Sequence, residues 1–280
     1  MDMMGHPASV VAGQTPTDAD APAEGRPAST GRWFIPAELP PQARIRLFML
    51  PHAGSGAAAY RGWSRLLPAE IGAQAMTLPG RQNRRAEPLP VDWDTLLHDL
   101  HQAMLATLDD ERPYALFGHC IGAMLAYRLA VQLEAEGDPP PSLLGMSGWA
   151  PTGFFRAPAG HDKRSVSELG GMFKDLGAFP AEVWDDPDML DLVLPPVIAD
   201  FRVAAQYEDD EAVVDCPLVS YAGQADPLLI EPGAMMSWAG RSRRYLGHNE
   251  YPGGHFYVSD HAAAVASDFA RRLMRIIDGR

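Results

Sequence analysis

Short apolar runs alternate with amphipathic stretches through most of the chain. Ile45-Arg46-Leu47-Phe48-Met49-Leu50 is an apolar run that stops at Pro51 and a glycine-rich turn, as a strand feeding a loop does. Residues 60–69 put Trp63, Leu66 and Leu67 on one helical face, and 71–78 read as a second strand ending at Pro79-Gly80. A helix follows over 92–109, where Trp93, Leu96, Leu97, Leu100, Met104 and Leu108 recur at helical spacing. Strand 114–117, helix 121–134 and strands 143–149 and 217–222 continue the alternation, and a helix over 260–277 ends it. This rhythm predicts an α/β fold with a buried, mostly parallel sheet flanked by helices. Residues 152–212 break it: helical stretches at 166–176 and 189–207 contain no convincing strand, which predicts a helical insertion, either a lid over a site or an extra packing layer.

Composition narrows the setting. With 280 residues and 46% hydrophobic content, one large domain over 32–280 is expected. Residues 1–31 are rich in Ala, Pro, Gly, Thr and Asp and poor in large hydrophobics, so a disordered N-terminal tail is expected there. A formal charge of −13 argues against nucleic acid or an anionic membrane as partner, because both require clustered positive charge. Two cysteines, Cys120 and Cys216, cannot build a disulfide framework. No apolar run of membrane-spanning length and no secretory leader stand in the sequence, so a cytoplasmic location is expected.

The chemistry begins at Gly118-His119-Cys120-Ile121-Gly122, which leaves one expected strand and opens the next helix. A nucleophile elbow needs that context: the glycines let strand and helix crowd together while a strained turn pushes the nucleophile outward. The positive end of the helix dipole there favours a thiolate. A small buried cysteine that merely fills core is the competing reading of the pentapeptide alone. An elbow requires an acid after a later strand and then a histidine, in that chain order. Asp226, in Gly223-Gln224-Ala225-Asp226-Pro227, and His255, in Gly253-Gly254-His255-Phe256, meet that order. Asp226 would orient the imidazole, and His255 would take the thiol proton and later activate the acceptor. Backbone N–H groups of Ile121 and of the loop 51–56 would form the oxyanion hole, with Ala53 preferred and Gly54 left open by spacing. His52, His119, His248 and His261 are rival histidines read as structural or supporting, and Asp200, Asp209, Asp210 and Asp215 are rival acids placed in the lid or at its exit; Cys216 reads as buried filler. Phe154, Phe155, Phe173, Phe179 and Trp184 read as core of the insertion or as apolar contacts to substrate. Arg81, Arg84 and Arg85 read as a solvated charge run or a contact for an acidic partner.

Taken together, Pro51-His52-Ala53-Gly54, Leu78-Pro79-Gly80-Arg81, Phe117 to Gly122, Asp200-Phe201, Asp226-Pro227-Leu228 and Pro252-Gly253-Gly254-His255-Phe256-Tyr257 resemble the type II thioesterases of polyketide and nonribosomal peptide synthases. The resemblance spans about 33–277. It implies an α/β-hydrolase fold with a helical lid, and a partner acyl or peptidyl carrier protein whose phosphopantetheine arm presents the thioester. No cofactor of the enzyme's own is implied. That family removes stalled acyl and aminoacyl groups by hydrolysis and usually carries serine where this chain has Cys120. A cysteine acyl-enzyme is nearly isoenergetic with the carrier thioester, so transfer between carriers is the alternative activity. A carrier-binding module without catalysis is the alternative of another class.

Overall fold

In a computed structural model that describes residues 33–279, apart from 109, 155–169, 172, 175, 178 and 180, the apolar runs become strands of one sheet. The strands are Phe34–Ile35 (β1), Ile45–Leu50 (β2), Ile71–Met76 (β3), Tyr114–His119 (β4), Leu144–Ser147 (β5), Val214–Gly223 (β6) and Ser242–Tyr251 (β7). Their order is β1-β3-β2-β4-β5-β6-β7. β1 runs antiparallel to β3, and the other pairings are parallel.

Parallel neighbours need crossovers, and helices supply several of them. Trp93–Leu105 (α1) joins β3 to β4, and Ile121–Glu136 (α2) joins β4 to β5. Ala181–Trp184 (α3) and Pro187–Ala204 (α4) lie between β5 and β6, while Tyr257–Asp260 (α5) and Ala262–Ile277 (α6) follow β7. Local chemistry sets the ends. The Asp92 carboxylate caps α1 by accepting from Thr95 N at 2.7 Å. Gly137 ends α2 in the left-handed region, with φ of +79°.

Both faces of the sheet are covered, which is why β2 is buried throughout and apolar except at Arg46, whose guanidinium donates to Gln74 and Asp110. Phe48 and Leu50 join the core under α1 and α2, whereas Ile45, Leu47 and Met49 face the core that α6 closes. Val265, Phe269 and Leu273 recur four residues apart on α6 and are fully buried. Such burial contributes about 1.5–3 kcal/mol per large side chain. The chain leaves β2 toward β3 on one side, and β4 continues toward β5 on the other. The loops after β2 and β4 therefore diverge, which opens a crevice at the carboxyl ends of the strands.

Three differences from the sequence reading have physical causes. Residues 60–69 form no α-helix; short 3₁₀ turns at Ala57–Tyr60 and Trp63–Arg65 bury Tyr60 and Trp63. β1 was not expected because two residues carry no periodicity, and β7 because its edge position leaves polar residues such as Arg243, Arg244 and Glu250 exposed. β6 begins earlier than expected, so Cys216 lies inside it. The tail expected over 1–31, Phe155, and residues 166–169, 172 and 175 of the expected helix 166–176 lie outside the described residues. Among the described residues, no helix is long and apolar enough to cross a membrane.

Candidate active site

β4 ends at His119 and α2 starts at Ile121, leaving Cys120 alone in the turn with φ of +57° and ψ of −124°. A non-glycine residue in such a conformation costs about 1–3 kcal/mol and persists only where its surroundings impose it. They do so here through two close approaches. A Cβ on Gly118 would lie 2.1 Å from the Gly122 carbonyl oxygen, and one on Gly122 would lie 2.1 Å from that of Leu50. Helix α2 is thus pressed against the strand ends, and Cys120 stands at the wall of a cavity of about 230 Å³.

The turn after β6 carries Asp226, and the loop between β7 and α5 carries His255. His255 Nδ1 lies 2.8 Å from Asp226 Oδ2, and Asp226 Oδ1 accepts from Leu228 N at 3.0 Å, so the carboxylate is held at both oxygens. With Nδ1 donating to Asp226, the buried Nε2 has no hydrogen-bond partner among the described residues and is the ring nitrogen left for Cys120. Burial lowers the His255 pKa, but the charge on the Cys120 sulfur and the Asp226 carboxylate outweigh it and raise the value to about 10.

The oxyanion-hole candidates flank Cys120 in the chain and in the cavity wall: Ile121 follows it directly, and Ala53 lines the same cavity. Ile121 is the first residue of α2, so its N–H has no intrahelical acceptor. Ala53 lies in the loop after β2 and lines the cavity. Gly54, which spacing left open, donates its N–H to Asp200 Oδ2 at 2.7 Å and is therefore committed elsewhere.

Phe173, Leu176, Phe179, Val197 and Phe201, from the segment between β5 and β6, form the apolar side of the cavity. Phe179 also packs on Trp184, with ring centroids 5.6 Å apart, while Phe154 packs against Trp149 instead of facing the cavity. His52 lines the cavity, and burial followed by the charge of His255 lowers its pKa to about 4. His119 is buried, lies 2.9 Å through Nδ1 from Ser147 Oγ, and is held neutral by burial and by His255, whose ring is 4.9 Å away.

The remaining rivals lie elsewhere. His248 bonds Ser220 in the sheet, and His261 stacks on Tyr251. Asp209, Asp210 and Asp215 pair with Arg241, Arg128 and Arg243. One reading needs correction. Arg81 and Arg84 are not a solvated run: Arg81 is buried against Asp200, and Arg84 lies over the Trp33 ring at 3.8 Å and pairs with Glu87, while Arg85 alone is exposed. Asp200 lies in the insertion, as its place in the chain suggests, and is a fully buried partner of the loop after β2. Sequence spacing offered no sign of that contact, which spans 146 residues.

A family model described as the thioesterase domain matches residues 45–273. The chain belongs to the thioesterase family. Among curated relatives, this thioesterase is 34% identical over 240 residues to the AMB antimetabolite synthetase AmbE of Pseudomonas aeruginosa, a match covering 85% of this chain but only 11% of that one. It is 30% identical over 256 residues to thioesterase PikA5 of Streptomyces venezuelae, covering 88% of this chain and 86% of that one. Among solved structures, the type II thioesterase BorB from the borrelidin biosynthetic cluster superposes with a TM-score of 0.75 at 29% identity, over 86% of this chain and 97% of that one. The seven-stranded sheet and its flanking helices are those of the α/β-hydrolase fold.

Proposed function

We propose that this chain is a type II thioesterase-like enzyme of polyketide or nonribosomal peptide biosynthesis, cleaving acyl or aminoacyl thioesters from the phosphopantetheine arm of a carrier protein through a Cys120 acyl-enzyme. The observation that carries this reading is Cys120 at the strained elbow on the cavity wall, beside a histidine tied to Asp226 at 2.8 Å. The description of BorB as a type II thioesterase from the borrelidin biosynthetic cluster supports the biosynthetic setting.

His255 Nε2 takes the thiol proton of Cys120 as the sulfur attacks the thioester carbon, and Asp226 on Nδ1 supports the imidazolium that forms. The carbonyl oxygen becomes an oxyanion and accepts the N–H groups of Ala53 and Ile121. Collapse of the intermediate breaks the carbon–sulfur bond to phosphopantetheine, and His255 gives its proton to the departing thiolate. The now neutral imidazole takes a proton from water, which attacks the Cys120 thioester and releases the acid. Asp226 keeps the ring oriented and supports its charged form. The helical segment within 152–212 serves as a lid over an apolar acyl pocket.

Cys120 also favours a second reading, transfer to another carrier thiol. A cysteine acyl-enzyme keeps the energy of a thioester, so a second carrier thiol can replace water as acceptor without an uphill step. Intact-protein mass spectrometry with a loaded carrier, followed by an empty one, separates the two. Hydrolysis predicts free acid and an unmodified second carrier; transfer predicts an adduct on Cys120 that moves to it. A Cys120→Ala variant that turned over normally would exclude both.

A further inference from the structure

Asp200 lies in the last turns of α4 with its side chain fully buried, and it receives three donors. Arg81 gives two of them in a fork, Nη1 to Oδ2 at 2.5 Å and Nη2 to Oδ1 at 2.7 Å. The third is the N–H of Gly54, which shares Oδ2. Arg81 Nη1 also reaches the Ser55 carbonyl at 3.3 Å. One buried ion pair therefore ties together the loop after β2, the loop after β3 and helix α4.

Gly54 is gripped from a second side. Its φ of +75° suits glycine, and a Cβ there would lie 2.0 Å from Val197 Cγ2, one turn before Asp200 on α4. The Gly54 N–H belongs to the peptide plane joining it to Ala53. Fixing that plane restricts the rotation that aims the preceding Ala53 N–H. Replacing a buried ion pair by apolar residues is often neutral or stabilising, so a pair of this kind is poorly explained by stability alone. A role in orientation accounts for its contact with a loop that lines the cavity.

We infer that Asp200 and Arg81 are positioning residues that hold the Ala53 amide in its oxyanion-binding orientation and make that orientation depend on α4 being seated. The inference rests on the acyl-enzyme reading above. Neither side chain touches the reacting atoms; both act through the backbone of 53–54.

The test compares two reactions of the same sulfur. Acylation of Cys120 by the butyryl thioester of N-acetylcysteamine builds an oxyanion, whereas alkylation by iodoacetamide builds none. Asp200→Asn leaves one carbonyl oxygen where the fork and the Gly54 N–H need two, and Arg81→Lys keeps the charge but loses the fork. For Asp200→Asn the expected result is acylation slowed about 100-fold, the scale of one lost oxyanion donor. The thioester KM should stay within about threefold and alkylation within about twofold of the unaltered chain. Arg81→Lys should show a smaller loss of the same kind, and it carries the comparison should Asp200→Asn fail to fold. Acylation at the original rate, or alkylation that falls in parallel with it, overturns the inference. Hydrogen exchange at the Gly54 amide gives a readout independent of activity: it should quicken in Asp200→Asn, and unchanged exchange overturns the inference. If the unaltered chain never acylates Cys120, the functional reading fails, and the catalytic use of the lock fails with it even where Gly54 exchange responds.

Discussion

At Cys120 a single atom decides how His255 carries its proton. Burial alone would strip the imidazole of charge; the sulfur and Asp226 reverse that and raise its pKa to about 10. In Cys120→Ser the hydroxyl removes the interaction with sulfur that raises the His255 pKa, so His255 should titrate well below its value in the unaltered chain, as imidazole NMR would register. Acyl groups should then pass to water instead of a second thiol, because the oxoester lies below the thioester. His52 shifts the other way, to about 4. Its unfolded value is near 6.5, so it supports the fold fully above pH 6.5 and less as pH falls toward 4; the shift corresponds to at most about 3 kcal/mol. The contribution of His255 has the opposite sign, complete below pH 6.5 and lost as pH rises toward 10. Melting temperatures from pH 4 to 6.5 should therefore depend less steeply on pH in His52→Asn. Cys120, Asp226 and His255 were legible because glycines and strand ends mark their places in the sequence. Asp200 was not: its partners come from loops more than a hundred residues away, and nothing in its neighbours announces them.

Helix α4 joins the cavity to the loop that supplies Ala53, and its contacts set how far either can move. Pro187 opens it after the Asp186 cap, and Val197, Ile198 and Asp200 turn inward near its far end. Gly54→Ala would place a methyl group against Val197 and force a left-handed alanine, adding about 1–2 kcal/mol of backbone cost to an overpacking penalty of about 1–3 kcal/mol. We expect loss of stability by urea unfolding and at least a tenfold loss of thioester turnover. Adding Val197→Ala should recover part of the stability, because it removes the clash and leaves the backbone cost. The helices α1, α2, α4 and α6 were legible because each presents an apolar face of three turns or more. The 3₁₀ turns after β2 were not, since Trp63 and Leu67 are buried by a path too short to show a helical period.

Across the whole molecule, the five central strands declared themselves through apolar runs, while both edges escaped notice. β1 is only two residues long and is followed by Pro36. β7 alternates poorly, exposes Arg243 and Arg244, and carries a register irregularity against β6 between Leu218 and Ser220. Arg243→Val with Arg244→Val should change unfolding free energy by less than about 1 kcal/mol, since the Arg243–Asp215 pair is exposed. The same double variant should scatter more light on concentration. An open strand edge is a template for another chain, and charge, irregular pairing and brevity are what discourage that encounter. The polarity that hid β7 from a hydrophobic reading is thus a safeguard at that margin of the sheet, where exposed charges oppose the docking of a further strand.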